Sequence, residues 1–344
     1  MDDIETILAP YVEAAERELR RRLPPPQGAY RDLYGMLHYH LGWVSADFEP
    51  LEAPRGKRLR PALCLLACEA FAGDFTAALP AAAAVELLHQ FSLVHDDIQD
   101  GDRERHARTV VWANWGKPHA INAGDGLFAL AQLALLGLSD QGIAAPDVVE
   151  ALLRFNETAV RLCQGQYLDM SFERRPSVSE DEYVAMVGGK TAALLGCAAE
   201  LGALSAGASE KDRSALHAFG ESLGVAFQMQ DDLLGLWGDP GRTGKPVGND
   251  IRQRKKSLPI AVGLQSTGVA GERLRELYAR PKLSEQDVAE VLALLQETGA
   301  RERVRALAHH EYHCALDALD GSSLPAERRA RLHALSASLL ERDR

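Results

Sequence analysis

The stretch AAAAVELLHQFSLVHDDIQD, residues 81–100, decides the fold. From about Ala77 onward apolar side chains point in nearly every direction around it: Ala81 to Val85, Leu87, Leu88, Phe91, Leu93 and Val94. A helix with that pattern is buried on all sides, so other elements must enclose it. The stretch ends in carboxylates, Asp96, Asp97 and Asp100. Asp96 and Asp100 are four residues apart and project from one helix face on successive turns. Carboxylates crowded beside an apolar face repel one another and are costly to desolvate, and a hard divalent cation removes both problems. A second acidic cluster, Gln228-Met229-Gln230-Asp231-Asp232, ends another apolar helical stretch. Two such faces across a cavity would hold cations enough to anchor a diphosphate, with apolar helices lining the place for a hydrocarbon tail.

Outward from residues 81–100 the pattern is helical nearly throughout. Segments from about Ile4 to Leu23, Asp32 to Val44, beyond Pro61, Ile121 to Leu138, Pro146 to Met170, Glu180 to Ser205 and Lys211 to Leu236 carry helical periodicity. The first stops at Pro24-Pro25-Pro26. Trp237 to Lys256 is rich in Gly, Pro and basic residues, a composition and length that suit a lid. Helices resume after Leu258. With no alternation of strand and helix, the expected fold class is all-α, a bundle of antiparallel helices around a central apolar cavity. One domain, 1–344, is expected, with an N-terminal helical segment to residue 50 and a basic lid loop over 239–256.

Charge and cysteine usage narrow the classes. The formal net charge is −11, from 38 Lys+Arg against 49 Asp+Glu, which disfavours nucleic-acid binding. The acidic N-terminus has no basic and apolar signal regions, and the longest apolar run, Gly126 to Leu138, is too short to span a bilayer. Five cysteines, an odd number in a long chain, suit reduced thiols. A cytoplasmic protein without a transmembrane segment is the expectation. Cys64 and Cys68, and His309, His310 and His313, have helical metal spacing but no accompanying ligand set, so they read as packing and surface residues.

Several motifs together resemble the trans-isoprenyl diphosphate synthases of the polyprenyl synthetase family, over roughly residues 50 to 260. Gly56-Lys57-Arg58-Leu59-Arg60-Pro61 resembles the basic motif for isopentenyl diphosphate, with Lys57 and Arg60 as ligands and His89 as a third. Asp96, Asp97 and Asp100 match the first aspartate-rich motif, followed by Arg105 for the allylic diphosphate. Gly165-Gln166 and Asp169 resemble the mid-chain polar motif, and Lys190-Thr191 the allylic-diphosphate lysine and threonine. Gln228, Asp231 and Asp232 match the second acidic motif; Lys245, Asp250 and Lys255 resemble lid residues.

The resemblance implies an isoprenoid-synthase-type bundle, a homodimer, and a Mg²⁺-dependent prenyltransferase with three ions per site, held by Asp96, Asp100 and Asp231. In that chemistry an allylic diphosphate (dimethylallyl, geranyl or farnesyl) ionises, isopentenyl diphosphate attacks the cation, and a proton is lost, with pyrophosphate as the base. Charge building on the leaving group needs preorganised cations, which is the use of Lys190, Lys245 and Arg105. An apolar, lidded site keeps the carbocation from water.

Departures from the family pattern bear on efficiency. His106-Ala107 stands where a second arginine and a glycine are usual, so a bidentate fork is lost and weaker isopentenyl diphosphate binding is expected. Gly235 replaces a common aspartate and Arg254 a glycine. Product length turns on Ser92, one helical turn before Asp96 and about 6 Å deeper by helix rise, and on Phe91. The pair looks like that of geranylgeranyl (C20) synthases, with Phe91 as the tunnel floor by resemblance. A farnesyl diphosphate synthase is the nearest alternative. A class I terpene cyclase is disfavoured by Lys57, Arg60 and His89, which a cyclase does not need. A non-catalytic subunit of a prenyl synthase is suggested by His106, Ala107 and Gly235 and disfavoured by the retained aspartates.

Overall fold

In the computed structural model residues 4–53, 56–173, 175–239, 247–280 and 282–340 are described. They are helical almost throughout, as expected. The helices used below are α1 (Ile4–Arg22), α2 (Arg31–His40), α3 (Leu59–Ala72), α4 (Leu79–Asp100), α5 (Val111–Trp115), α6 (Lys117–Leu136), α7 (Ala145–Phe172), α8 (Glu180–Val187), α9 (Ala193–Ser205) and α10 (Glu210–Trp237). Further helices span Asn249–Arg252, Leu258–Gln265, Val269–Ala279, Glu285–Glu297, Ala300–Asp320 and Ala326–Leu340. The chain divides into two compact units. One is drawn from Met1–Ala159, Cys197–His217 and Ser322–Leu332, the other from Val160–Gly196, Ala218–Gly321 and His333–Arg344.

In the first unit α4 is the buried axis. Pro80 sits in its first turn, where its missing N–H costs nothing, and Gly101 (φ 73) ends it in a left-handed cap. Ala81 to Val85, Leu87 and Leu88 have no solvent exposure, each leucine contributing about 2 kcal/mol by burial. Helices α1, α3 and above all α6 pack against it. The alanine run keeps those neighbours close, and Gly124 of α6 takes this furthest: a Cβ there would lie 2.3 Å from His95 Nε2. Strand content among the described residues is confined to two-residue strands, Glu104–Arg105 paired antiparallel with Arg108–Thr109. The sequence reading had no strand there.

The segment read as one helix, 180–205, is interrupted. Helix α8 opens on a capping box, Ser179 with Glu182, and Gly188–Ala192 then form a π turn before α9. Glycines bring backbones together around that turn. A Cβ on Gly165 of α7 would lie 2.1 Å from the Lys190 backbone nitrogen, and one on Gly224 of α10 would lie 2.6 Å from Ala192 Cα.

The membrane reading needs correction on one point. By length and composition three helices could cross a bilayer: Thr76–Asp100, Lys117–Gln141 and Glu180–Ser205. The short run Gly126–Leu138 understated this, because isolated polar residues do not end an apolar window. Those windows are 67%, 44% and 78% buried inside the protein, so for the first and third most of the apolar surface is spent on packing.

Candidate active site

The first unit carries one acidic motif at the C-terminal end of α4. Carboxylates there face the negative end of the helix dipole, an arrangement that calls for a cation. Asp96 is half-buried and Asp100 exposed. Asp97 is different: it is 2% exposed, and its Oδ1 accepts from Arg105 Nε at 2.9 Å and Nη2 at 2.7 Å. Its Oδ2 is buried without a partner, and burial pushes the carboxyl up against the pull of Arg105. The middle aspartate therefore fixes Arg105 in place.

Arg105 belongs to the hairpin, whose two turn residues, His106 (φ 50) and Ala107 (φ 59), are both left-handed. That is a type I′ turn, which explains the glycine usual at 107. Arg108 clamps the hairpin to the end of α2, donating to Tyr39 O and Val44 O, each at 2.9 Å, and lying 4.1 Å from the Tyr39 ring centre. Tyr39 returns a hydrogen bond to Thr109 O at 2.7 Å. Ala107→Gly should stabilise the fold by about 0.5–1 kcal/mol, relief of left-handed strain exceeding the added chain entropy. Urea unfolding checks this, and an unchanged or lower midpoint would count against the strain argument.

Arg60 and His89 are brought together, Arg60 Nη1 lying 3.3 Å from His89 Nε2. Because Arg60 donates, Nε2 accepts and the imidazole is neutral. Burial, then Arg60, Arg58, Arg105 and His40, hold His89 well below the ordinary histidine range. Burial followed by Arg105 and Arg58 takes His40 down to about 3. Partial burial and the same two arginines lower His106 as well, so at position 106 the chain offers a neutral donor. Lys57 is exposed.

These lowered histidines make an acid-sensitivity prediction. Their folded pKa lies below the unfolded value near 6.5, so the unfolded chain takes up more protons. The stabilisation is complete above about pH 6.5 and is lost as pH falls toward the folded values. Between pH 7 and pH 5 His40 alone should cost on the order of 1–2 kcal/mol. Denaturant titrations at the two pH values, with and without His40→Gln, test it: a loss of equal size in the variant refutes the assignment to His40.

Phe91 packs its ring against His95, centroids 4.8 Å apart, and against Phe128 of α6 at 5.3 Å. Ser92 Oγ donates back to His89 O at 2.8 Å. The bulk one turn below the motif is thus aromatic and shared between α4 and α6.

In the second unit Lys190 and Thr191 lie in the π turn, a departure from α-geometry that recurs at functional sites. Lys190 pairs with Asp169 of α7. Thr191 Oγ1 donates to Gln228 Oε1 and Gln228 Nε2 to Asp232 Oδ1, both at 3.1 Å. Asp232 Oδ2 accepts from Tyr183 and from Leu258 N at 2.8 Å. Burial pushes that carboxyl up to about 7, with Asp250 adding to the rise. Asp231 is exposed. The second aspartate is again the anchored one.

Gly235, read as a lost carboxylate, abuts another. A Cβ there would lie 2.5 Å from Asp250 Oδ2, so the Asp250 side chain takes that space. Asp250 O accepts from Lys255 N at 3.0 Å, closing the turn before the exposed Lys255. Arg254 is left-handed (φ 56) where glycine was expected, and it donates to Tyr278 O and, at 2.7 Å, to Arg280 O. Lys245 lies outside the described residues.

Among the described residues no group of three His, Cys, Asp or Glu side chains converges on one metal position. Arg58, Glu86, His40, Phe128 and Tyr183 escaped notice as site residues. None carries a motif signal of its own, and only tertiary packing brings each to the site residues beside it.

The polyprenyl synthetase family matches residues 42–295. A geranylgeranyl diphosphate synthase of Mycobacterium tuberculosis is 44% identical over 285 residues, 83% of this chain and 80% of that one. A (2E,6E)-farnesyl diphosphate synthase of Mycobacterium bovis is 39% identical over 330 residues, 95% of this chain and 89% of that one. The crystal structure of a polyprenyl synthetase from Streptomyces coelicolor superposes with a TM-score of 0.92 at 39% identity, covering 98% and 100% of the two chains. A geranylgeranyl pyrophosphate synthase from Corynebacterium glutamicum, complexed with isoprenyl diphosphate and magnesium, does so at 0.80 with 27% identity, covering 99% of each. The chain belongs to the polyprenyl synthetase family. It is an enzyme, a trans-prenyltransferase.

Proposed function

We propose that this enzyme condenses isopentenyl diphosphate with allylic diphosphates, chiefly to geranylgeranyl diphosphate. The observation that carries the reading is the pairing of Arg60, on α3, with His89, on the helix that also presents Asp96 and Asp100. An anion site beside a metal-type motif suits two diphosphate substrates, whereas a cyclase needs only one. Lys57, Arg60, His89 and His106 would bind isopentenyl diphosphate. Arg105, Lys190, Thr191, Gln228, Lys245 and Lys255 would hold the allylic diphosphate and its leaving group. Asp96, Asp100 and Asp231 would hold three Mg²⁺ ions, which supply positive charge for the departing pyrophosphate. Asp97 and Asp232 serve by fixing Arg105 and Gln228.

The C20 product rests on Phe91, with Phe128 beside it as a second part of the floor. Phe91→Ala should shift the main product beyond C20, read by chromatography of the dephosphorylated alcohols; unchanged chain length sinks the floor role. Incubation of wild type with Mg²⁺, labelled isopentenyl diphosphate and each allylic substrate tests the function itself. A C15 product favours the farnesyl alternative. Absence of incorporation favours a cyclase or a subunit, and cyclic hydrocarbon decides for the former.

A cytoplasmic homodimer completes the reading. Ile121, Leu133 and Leu136 of α6 and Val149 and Leu153 of α7 are 45–66% exposed. Reciprocal hydrogen bonds of Gln132 and Asn156, at 2.9 and 3.2 Å, join the two helices. A second copy would cover that face, and light scattering measures it.

A further inference from the structure

Between Lys57 and Arg60 the chain does something costly. Arg58, the residue capping α3, is left-handed (φ 50, ψ 37), a conformation that side-chain-bearing residues avoid. Its side chain is turned inward and is 2% exposed, although its neighbour Lys57 is exposed. Buried charge and backbone strain coincide at one residue of a substrate-binding loop.

The partners of Arg58 show what the arrangement holds. Nη1 donates to Glu86 Oε1 at 2.6 Å, Nε to Glu16 Oε2 at 3.3 Å, and Nη2 to Leu41 O at 3.4 Å. Glu86 also accepts from Gln90 at 2.5 Å, and Glu16 accepts from Trp43. Four elements meet on one guanidinium: α1, the end of α2, the start of α3, and α4. Glu86 lies three residues before His89, so the two share a face of α4. The ion pair therefore ties the segment that carries Lys57 and the first turn of α3 with Arg60 to the helix turn that carries His89. A lysine, with no planar fork, cannot make these three divergent contacts.

We infer that Arg58 is a positioning residue for isopentenyl diphosphate, locking the Lys57–Arg60 loop against the His89 turn of α4 through Glu86 and Glu16. The inference rests on the reading of Lys57, Arg60 and His89 as ligands of that substrate. Arg58 itself does not touch the diphosphate. Its contribution is to hold the strained backbone that aims the residues on either side.

Arg58→Gly keeps the left-handed backbone accessible and removes the guanidinium. Glu16→Gln loosens the same network from α1 without touching the binding loop. Isopentenyl diphosphate binding to the free enzyme by calorimetry, and KM and kcat for both substrates, are measured for wild type and both variants. The expected result is a rise of about tenfold in Kd and KM for isopentenyl diphosphate in Arg58→Gly and about threefold in Glu16→Gln, with KM for the allylic substrate within twofold. Equal affinity in wild type and variants overturns the inference, as does a parallel loss for both substrates, which marks general structural damage. If wild type fails to bind isopentenyl diphosphate, the ligand assignment falls and the inference with it.

Discussion

Asp96→Ala is expected to lower kcat by at least about 10³-fold. Asp96 is half-buried on the outward face of the last turns of α4, with Asp100 one turn on. Removing a carboxylate from the negative end of a helix relieves an unfavourable interaction with the helix dipole. Catalysis has much to lose, because in the proposed mechanism ionisation of the allylic substrate places charge on a leaving group that bound metal ions help to neutralise. Raising Mg²⁺ should recover little, since on the proposed assignment the missing group is a ligand and not a screening charge. Near-normal turnover in this variant would remove the metal assignment altogether.

Asp232→Ala should be felt in the fold itself. Asp232 is 6% exposed and accepts from Tyr183, Leu258 N and Gln228 Nε2. Alanine leaves a buried phenol and a buried backbone N–H unpaired, each costing about 1–3 kcal/mol. A loss of roughly 3 kcal/mol is expected, a drop of about 6–12 °C in a unit of this size. Asp231→Ala, at the exposed neighbour, should leave the midpoint within a degree or so. Equal midpoints for the two variants would show that the buried network contributes no stability.

Legibility of the site followed a physical line. The buried axis of α4 was readable because burial on all sides leaves a continuous apolar mark in the chain, and the ordered acidic and basic motifs were readable because they border apolar stretches. The different duties of adjacent aspartates were not. Asp97 and Asp232 look like Asp96 and Asp231 in sequence; Arg105, across a turn from Asp97, and Tyr183 and Leu258, distant in the chain from Asp232, turn them inward. Gly235 read as a deficit because Asp250, which fills the space beside it, sits in a separate segment. The hairpin at 104–109 was too short for period-two alternation, and the left-handed pair His106-Ala107 lacks the glycine that announces such a turn. Arg58 stood inside a recognised motif, yet its inward course depends on Glu16 and Glu86.

The π turn at Gly188–Ala192 has a consequence for how this protein tolerates change. A π turn is an α-helix carrying one residue more than its hydrogen-bond ladder requires. Removing any single residue between Gly188 and Ala192 would let the ladder close as ordinary α-helix, so the deletion need not unfold the segment. It would, however, swing everything on one side by about 100° relative to the other. Lys190 would leave Asp169, or Thr191 would leave Gln228, while helicity by circular dichroism stayed nearly constant. A length change of one residue would thus be silent to spectroscopy and severe for catalysis, the opposite of what a surface loop permits.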